Sequence, residues 1–323
     1  MQTLDTPPEQ REIRAYYTKV DKVFRGFVSA SALFSLVVLL LIAAFLLYRG
    51  FEIFADFGLG FITNSKWEMI DPAVPSTATF GIAAMLVGSI ITATLAIIFA
   101  VPFAIASALF IEYYAPRFLR TALTALLDLV AAIPSVIYGI WGYVVLLPLV
   151  EDWSATLNNY LGWIPLFSVP SPIFGRSPLL AGLLLSIMIL PIVTSVAREV
   201  YSQAPRDLVD ATYALGGTKW GGIKTVVLPF GRSGLVGGAM LGLGRALGET
   251  VAVYLTLNLV FEVNFKILAS AGGNVASLIA TKFGEASDYE IKGLMAAGLV
   301  LFLVTLAVNF LATVIVNRSR KIV

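Results

Sequence analysis

The 323-residue sequence contains neither cysteine nor histidine, and only 13% of its residues are charged. Without cysteine there is no disulfide, no thiol nucleophile and no thiolate metal ligand. Without histidine, the commonest metal ligand and the proton relay that titrates near neutrality are both missing. Soluble domains carry roughly 25% charged residues. A charged share about half of that, beside 58% hydrophobic residues and a mean hydropathy of +0.88, points to an integral membrane protein. The net charge of +2 is too small to mark a nucleic-acid partner.

What is present is a series of apolar runs long enough for the roughly 20 residues that a bilayer core needs. They lie at 27–48, 81–111, 119–150, 179–197, 234–260 and 293–316. The first comes too late and runs too long for a signal peptide and reads as an uncleaved anchor. The pattern predicts an all-α integral membrane protein with six transmembrane helices, an N-terminal segment 1–26, an extracytoplasmic loop 49–78 and a tail 317–323. Residues 151–178, with Trp153 and Trp163, read as a second outer loop. Pro102, Pro134 and Pro191 read as kinks within spans, and Asp128 as an interfacial or helix-contact residue inside the third.

Basic residues set the orientation. Arg11, Arg14, Lys19, Lys22, Arg25, Arg117, Arg120, the five from Arg198 to Arg232, and Arg318, Arg320 and Lys321 fall on one side. The other side holds Arg49, Lys66, Arg176, Lys266, Lys282 and Lys292. The positive-inside rule predicts that both termini and the 198–232 loop are cytoplasmic, in a multi-pass protein of a prokaryotic inner or plasma membrane.

Two features between Arg198 and Asn258 do not belong in a simple anchor. The first is the 198–232 loop. Pro205 reads as a helix start, and Leu208, Ala211, Thr212 and Leu215 recur at helical spacing. Gly216-Gly217 then stops the helix, since left-handed geometry is easy for glycine, and Thr218 caps a second turn. An ordinary connecting loop is the bland alternative. The second feature is the span that follows. Placed at 100° intervals, Gly234, Gly238, Gly242, Arg245, Glu249, Ala252 and Thr256 fall on one stripe. Glycines four apart admit a neighbouring backbone, and the same stripe carries a cation and an anion near mid-bilayer. A charge within a span costs about 2.5–3.5 kcal/mol on insertion scales and usually faces a cavity or a pathway. Arg245 offers forked donors to an oxyanion; Glu249 either holds that arginine or gates the anion. An intrahelical Arg245–Glu249 pair is the bland reading.

The loop spacing, Asp210-Ala211-Thr212, then Gly216, then Val226-x-Leu228-Pro229, resembles the EAA loop of ABC importer permeases. Asp210, Thr212 and Val226 stand where that pattern usually has Glu, Ala and Ile. Three further stretches narrow the resemblance to the PstC family of phosphate-importer permeases: Gly244 to Val253 (GRALGETVAV), Ala132 to Gly139 (AIPSVIYG), and Asn274 to Ala280 with Phe283 to Ala286.

The resemblance implies a type I ABC importer permease fold over 79–316. It implies a coupling helix in which Pro205, Asp207, Leu208, Asp210, Ala211, Thr212, Leu215 and Gly216 meet an ATPase. It also implies a phosphate path past Arg245 and Glu249. The expected partners are a PstA-like permease, two PstB-like ATPase subunits and a PstS-like phosphate-binding protein, with membrane lipid around them. The sequence carries no G-x-x-x-x-G-K-[ST] phosphate loop, so ATP and magnesium are expected on the partner ATPase, with no cofactor, no metal and no catalytic residue in this chain. Three alternatives stay open: a permease for phosphonate, sulfate or molybdate; a secondary anion transporter or channel, which leaves the EAA-like spacing unexplained; and a membrane enzyme using Glu249 or Asp128.

Overall fold

The computed structural model describes residues 18–71, 74–170 and 173–319. Arg11, Arg14, Arg320 and Lys321, used above for orientation, lie outside them, as does the side chain of Arg318. The chain divides into two units, 1–45 and 46–323. The first contains, among the described residues, the N-terminal part of helix α1 (Lys19–Phe57).

Helix α1 is longer at both ends than the apolar run 27–48. At its start the Thr18 N–H donates to the Asp21 carboxylate at 2.9 Å, and the Asp21 N–H returns a bond to Thr18 Oγ1. At its end nothing stops the helix until Gly58, whose φ of +54° and N–H bond to Phe54 O close the last turn.

After the short turn α2 (Gly60–Thr63), strands β1 (Trp67–Met69) and β2 (Ala78–Phe80) form an antiparallel hairpin with Trp67 opposite Phe80. This small sheet is an addition to the all-α expectation. Its strands are three residues each, too short for alternation to stand out. Aromatic packing holds it: Trp67 stacks on Phe80 at 4.6 Å between ring centres, beside Phe57, Phe61 and Tyr289.

Helices α3 (Ala83–Leu109), α4 (Arg117–Ala132), α5 (Ser135–Trp141), α6 (Leu147–Leu161), α7 (Pro178–Ser202), α8 (Arg206–Ala214), α9 (Lys219–Gly222), α10 (Leu228–Gly248), α11 (Val251–Thr256), α12 (Val275–Lys282) and α13 (Asp288–Ser319) follow. Wide π-helical turns at Phe110–Tyr114, Gly142–Leu146 and Ile223–Val227 extend α3 and join α5 to α6 and α9 to α10. Each ends two residues before a proline: Pro116, Pro148 and Pro229. At Pro148 and Pro229 the helix continues through the proline, which has no N–H to donate and whose ring clashes with the carbonyl four residues back, and the wider turn places that carbonyl out of the way; before Pro116 the helix instead ends at the extended Ala115. Pro102 and Pro191 sit inside α3 and α7 without such a turn.

Among the described residues, six helical stretches are long and apolar enough to cross a membrane. α3, α7 and α10 pack against one another. On α3 the ridge Ala93, Ala96, Ala100, Ala104 and Ala108 is buried. At Gly182 on α7 an added Cβ would stand 2.5 Å from Leu95 Cβ. Small side chains let these backbones approach, which is how helices associate where lipid removes the hydrophobic drive.

Two spans expected as single helices are interrupted. The run 119–150 is not one helix. Ile133 and Pro134 are extended, with ψ of 128° and 140°. The stretch long and apolar enough to cross is Ser135–Leu161; α4 precedes the break, and the crossing continues through residues 147–161, most of which the sequence pattern places in an outer loop. Arg198 on α7 donates to Thr124 of α4, and Trp153 and Leu157 of α6 line a pocket with Leu179 and Leu183. The two halves therefore follow α7 along its length. Asp128 is exposed on α4, before the break, rather than inside a continuous span. The second interruption is in the fifth span and concerns the site itself.

Candidate functional site

The elbow is built by local rules. Pro205 is the N-cap of α8, which runs to Ala214. Gly216 has φ of +80°. The Gly217 N–H donates to Thr212 O at 2.8 Å and the Gly216 N–H to Tyr213 O at 2.9 Å. This is the paired bond pattern that closes a helix on a left-handed residue. Thr218 Oγ1 then accepts from the Gly221 N–H at 3.2 Å and caps α9.

Val209, absent from the sequence reading, is the residue that anchors α8, buried against Tyr201, Ile223 and Val227. Gly222, also missed, permits close approach, since a Cβ there would meet Thr212 Oγ1 at 2.8 Å. Asp207, Asp210 and Ala211 are exposed. So are Leu208 (55%) and Leu215 (89%), beside Trp220. The apolar face spaced for packing is thus turned outward from the chain.

α10 packs on α7 through its glycines. A Cβ on Gly234 would stand 2.2 Å from Val200 Cγ2, on Gly238 3.1 Å from Val196 Cβ, and on Gly242 3.0 Å from Val193 Cγ2. Gly231, three residues before Gly234, does the same against the Tyr201 ring at 2.4 Å; the step of four residues lands on Phe230 and passes it by.

The helix does not continue through Glu249. It ends at Gly248, Glu249 is extended with ψ of 131°, and α11 begins at Val251. The single stripe from Gly234 to Thr256 is therefore interrupted, and an i,i+4 pair between Arg245 and Glu249 is not formed. Glu249 is buried at 8% exposure. Its Oε1 accepts from the Ala252 N–H at 3.4 Å, at the start of α11. Its backbone carbonyl accepts from Asn274 Nδ2 at 2.6 Å. Arg245 is exposed, and among the described residues it makes no hydrogen bond or ion pair; the two pairs formed are Arg120–Glu112 and Lys292–Glu52.

The two interrupted helices meet. α11 packs on α5; a Cβ on Gly139 would lie 3.1 Å from Ala252 Cα. The Arg245 guanidinium lies within electrostatic reach of Tyr138, whose hydroxyl donates to Val130 O at 2.8 Å across the Pro134 break. The arrangement places an unpartnered guanidinium, able to offer forked donors to an oxyanion, beside two helix breaks. Discontinuous helices of this kind mark ion and substrate paths in transporters. Asn274 was not singled out as a site residue; the signal available was its place as a helix N-cap, Asn-x-x-Ser before an apolar turn.

The profile of the family described as binding-protein-dependent transport system inner membrane component matches residues 100–321. The Xylella fastidiosa protein named phosphate transport system permease protein PstC is 36% identical over 318 residues, 97% of this chain and 95% of that protein. The Mycobacterium tuberculosis protein named phosphate transport system permease protein PstC 2 is 39% identical over 298 residues, 91% of each. A bacterial ABC transporter involved in the import of the acidic polysaccharide alginate superposes with a TM-score of 0.48 at 16% identity, over 92% of this chain and 99% of that one.

Proposed function

This chain belongs to the binding-protein-dependent inner membrane components, among the PstC permeases, and from that premise we propose that it is the permease subunit of an ATP-driven inorganic phosphate importer. The observation that carries the reading to the residue level is Arg245: an exposed guanidinium without a counter-ion beside two broken helices. Phosphate is met there by forked donors, and the surface that Arg245 faces is completed by a PstA-like permease.

The work is supplied from elsewhere. Two PstB-like ATPase subunits bind ATP and magnesium, and one receives the outward apolar face of α8, where Leu208 and Leu215 are exposed. Asp207, Asp210 and Ala211 complete that contact, while Pro205, Thr212 and Gly216 shape it. A PstS-like protein delivers phosphate to the opposite face. Both termini and the elbow are cytoplasmic, on the strength of the basic residues.

Replacing Arg245 by Gln in the assembled complex tests the reading. Phosphate uptake into proteoliposomes is expected to fall at least tenfold while the subunits still co-purify; uptake at the wild-type rate would return Arg245 to the bundle surface. Competition by sulfate, molybdate and phosphonate in the same assay separates a phosphate permease from one for another oxyanion.

A further inference from the structure

We propose that Asn274 is a positioning residue that clamps the helix break beside Arg245 and ties the last outer loop to the anion path. The proposal rests on the permease reading above. A helix interrupted where it is buried leaves backbone groups that water cannot reach, and each needs a partner within the protein. At this break the Glu249 carbonyl is satisfied by the Asn274 side-chain amide at 2.6 Å, and both residues are buried.

Asn274 is itself held from several directions. Its Oδ1 accepts from the Ser277 N–H at 2.7 Å, and its own N–H donates to Ser277 Oγ at 3.4 Å, which caps α12. The next residue, Val275, donates its N–H to Ser89 Oγ on α3 at 3.1 Å. The preceding Gly273 lies against α3 so closely that a Cβ on Gly88 would meet its carbonyl oxygen at 2.0 Å. The segment 273–275 is therefore pinned to α3 on one side and to the break on the other. The loop that ends there begins at Leu257, directly after α11. A displacement of this outer loop acts on the Glu249 carbonyl through one side chain, and Arg245 stands four residues before it.

The sequence has no cysteine, so an Arg245→Cys thiol is the one thiol this chain carries, and its labelling in the assembled complex is read on this subunit after the subunits are separated. Its rate of modification by a small water-soluble thiosulfonate is measured with and without Asn274→Ser. Serine caps α12 as well as asparagine does, but it is too short to donate to the Glu249 carbonyl, so the clamp alone is lost. Leaving a buried acceptor unpaired shifts the local equilibrium roughly five- to a hundredfold.

The expected result is a change of at least fivefold in labelling rate. In the complex retaining Arg245, Asn274→Ser is expected to lower phosphate uptake by at least fivefold with subunit co-purification and Tm held. An unchanged labelling rate overturns the proposal whatever the uptake. A changed rate together with normal uptake by Arg245→Gln upholds the clamp and removes the anion path instead. Should Asn274→Ser not assemble, Asn274→Asp, which caps equally and offers no donor, is read by the same two criteria.

Discussion

At Glu249 the charge and the geometry are separable. Its Oε1 bonds the Ala252 N–H and its backbone carbonyl bonds Asn274. Glutamine preserves both interactions and removes only the negative charge. Glu249→Gln is therefore expected to leave assembly intact and to change the phosphate uptake rate severalfold; an unchanged rate assigns the carboxylate to capping alone, a contribution of about 1 kcal/mol. Gly216 presents the opposite case, since its surroundings are open and only its backbone is special. With φ of +80° and nothing within 4 Å of an added Cβ, the position excludes proline, whose ring fixes φ near −65°. Gly216→Pro is expected to cut uptake tenfold or more while the complex continues to hydrolyse ATP. Gly216→Asn, which tolerates the left-handed region, is expected to stay coupled. Equal behaviour of the two variants in a paired ATPase and uptake assay would count against the elbow as the input.

The element that joins elbow to site is the continuous helical rod Lys219–Gly248. It is not uniform. The π-helical turn Ile223–Val227 adds a residue to one turn just ahead of Pro229, which rotates everything beyond it by roughly 100° relative to an unbroken α-helix. That rotation sets which face of α10 presents its glycines to Val193, Val196 and Val200. Pro229→Ala restores the missing N–H and removes the steric reason for the wide turn. The expected outcome is a shifted register between α8 and α10, read as a fall in phosphate transported per ATP hydrolysed at unchanged complex yield. A wild-type ratio would show that the turn persists without its proline. The same element also explains why Gly231 and Gly234 are intolerant of side chains: Tyr201 and Val200 already occupy the space.

Within the larger unit, the crossings from α3 to α7 alternate. The hydroxyl of Tyr113, just past α3, donates to Tyr201 O at the end of α7, so these two helices run in the same direction, while α4 to α6 run the other way beside α7. The hairpin before α3 and the elbow after α7 therefore lie at opposite ends. Because the native chain has no cysteine, single thiols report the orientation cleanly. A thiol at Lys224→Cys, an exposed position outside the named ATPase contact, is expected to react with a membrane-impermeant reagent only in opened cells, and one at Ile70→Cys, an exposed hairpin position, in intact cells. The reverse pattern would invert the assigned topology.

The sequence by itself determined the membrane class, the number of crossings and the elbow. Each of these depends on composition or on contacts a few residues apart: apolar runs of bilayer length, and the Pro205, Gly216 and Thr218 punctuation of a helix–turn–helix. Even the wide turns carry a local mark, a proline two residues on. Tertiary structure decided the rest. No residue between Gly248 and Thr250 forbids a helix, and a wheel drawn through Arg245 and Glu249 assumes one. At the break Asn274, 25 residues later, donates to the Glu249 carbonyl, a partner that no pattern within the helix supplies. The exposure of Arg245 likewise depends on which neighbours the fold leaves beside it, a quantity that no local pattern encodes.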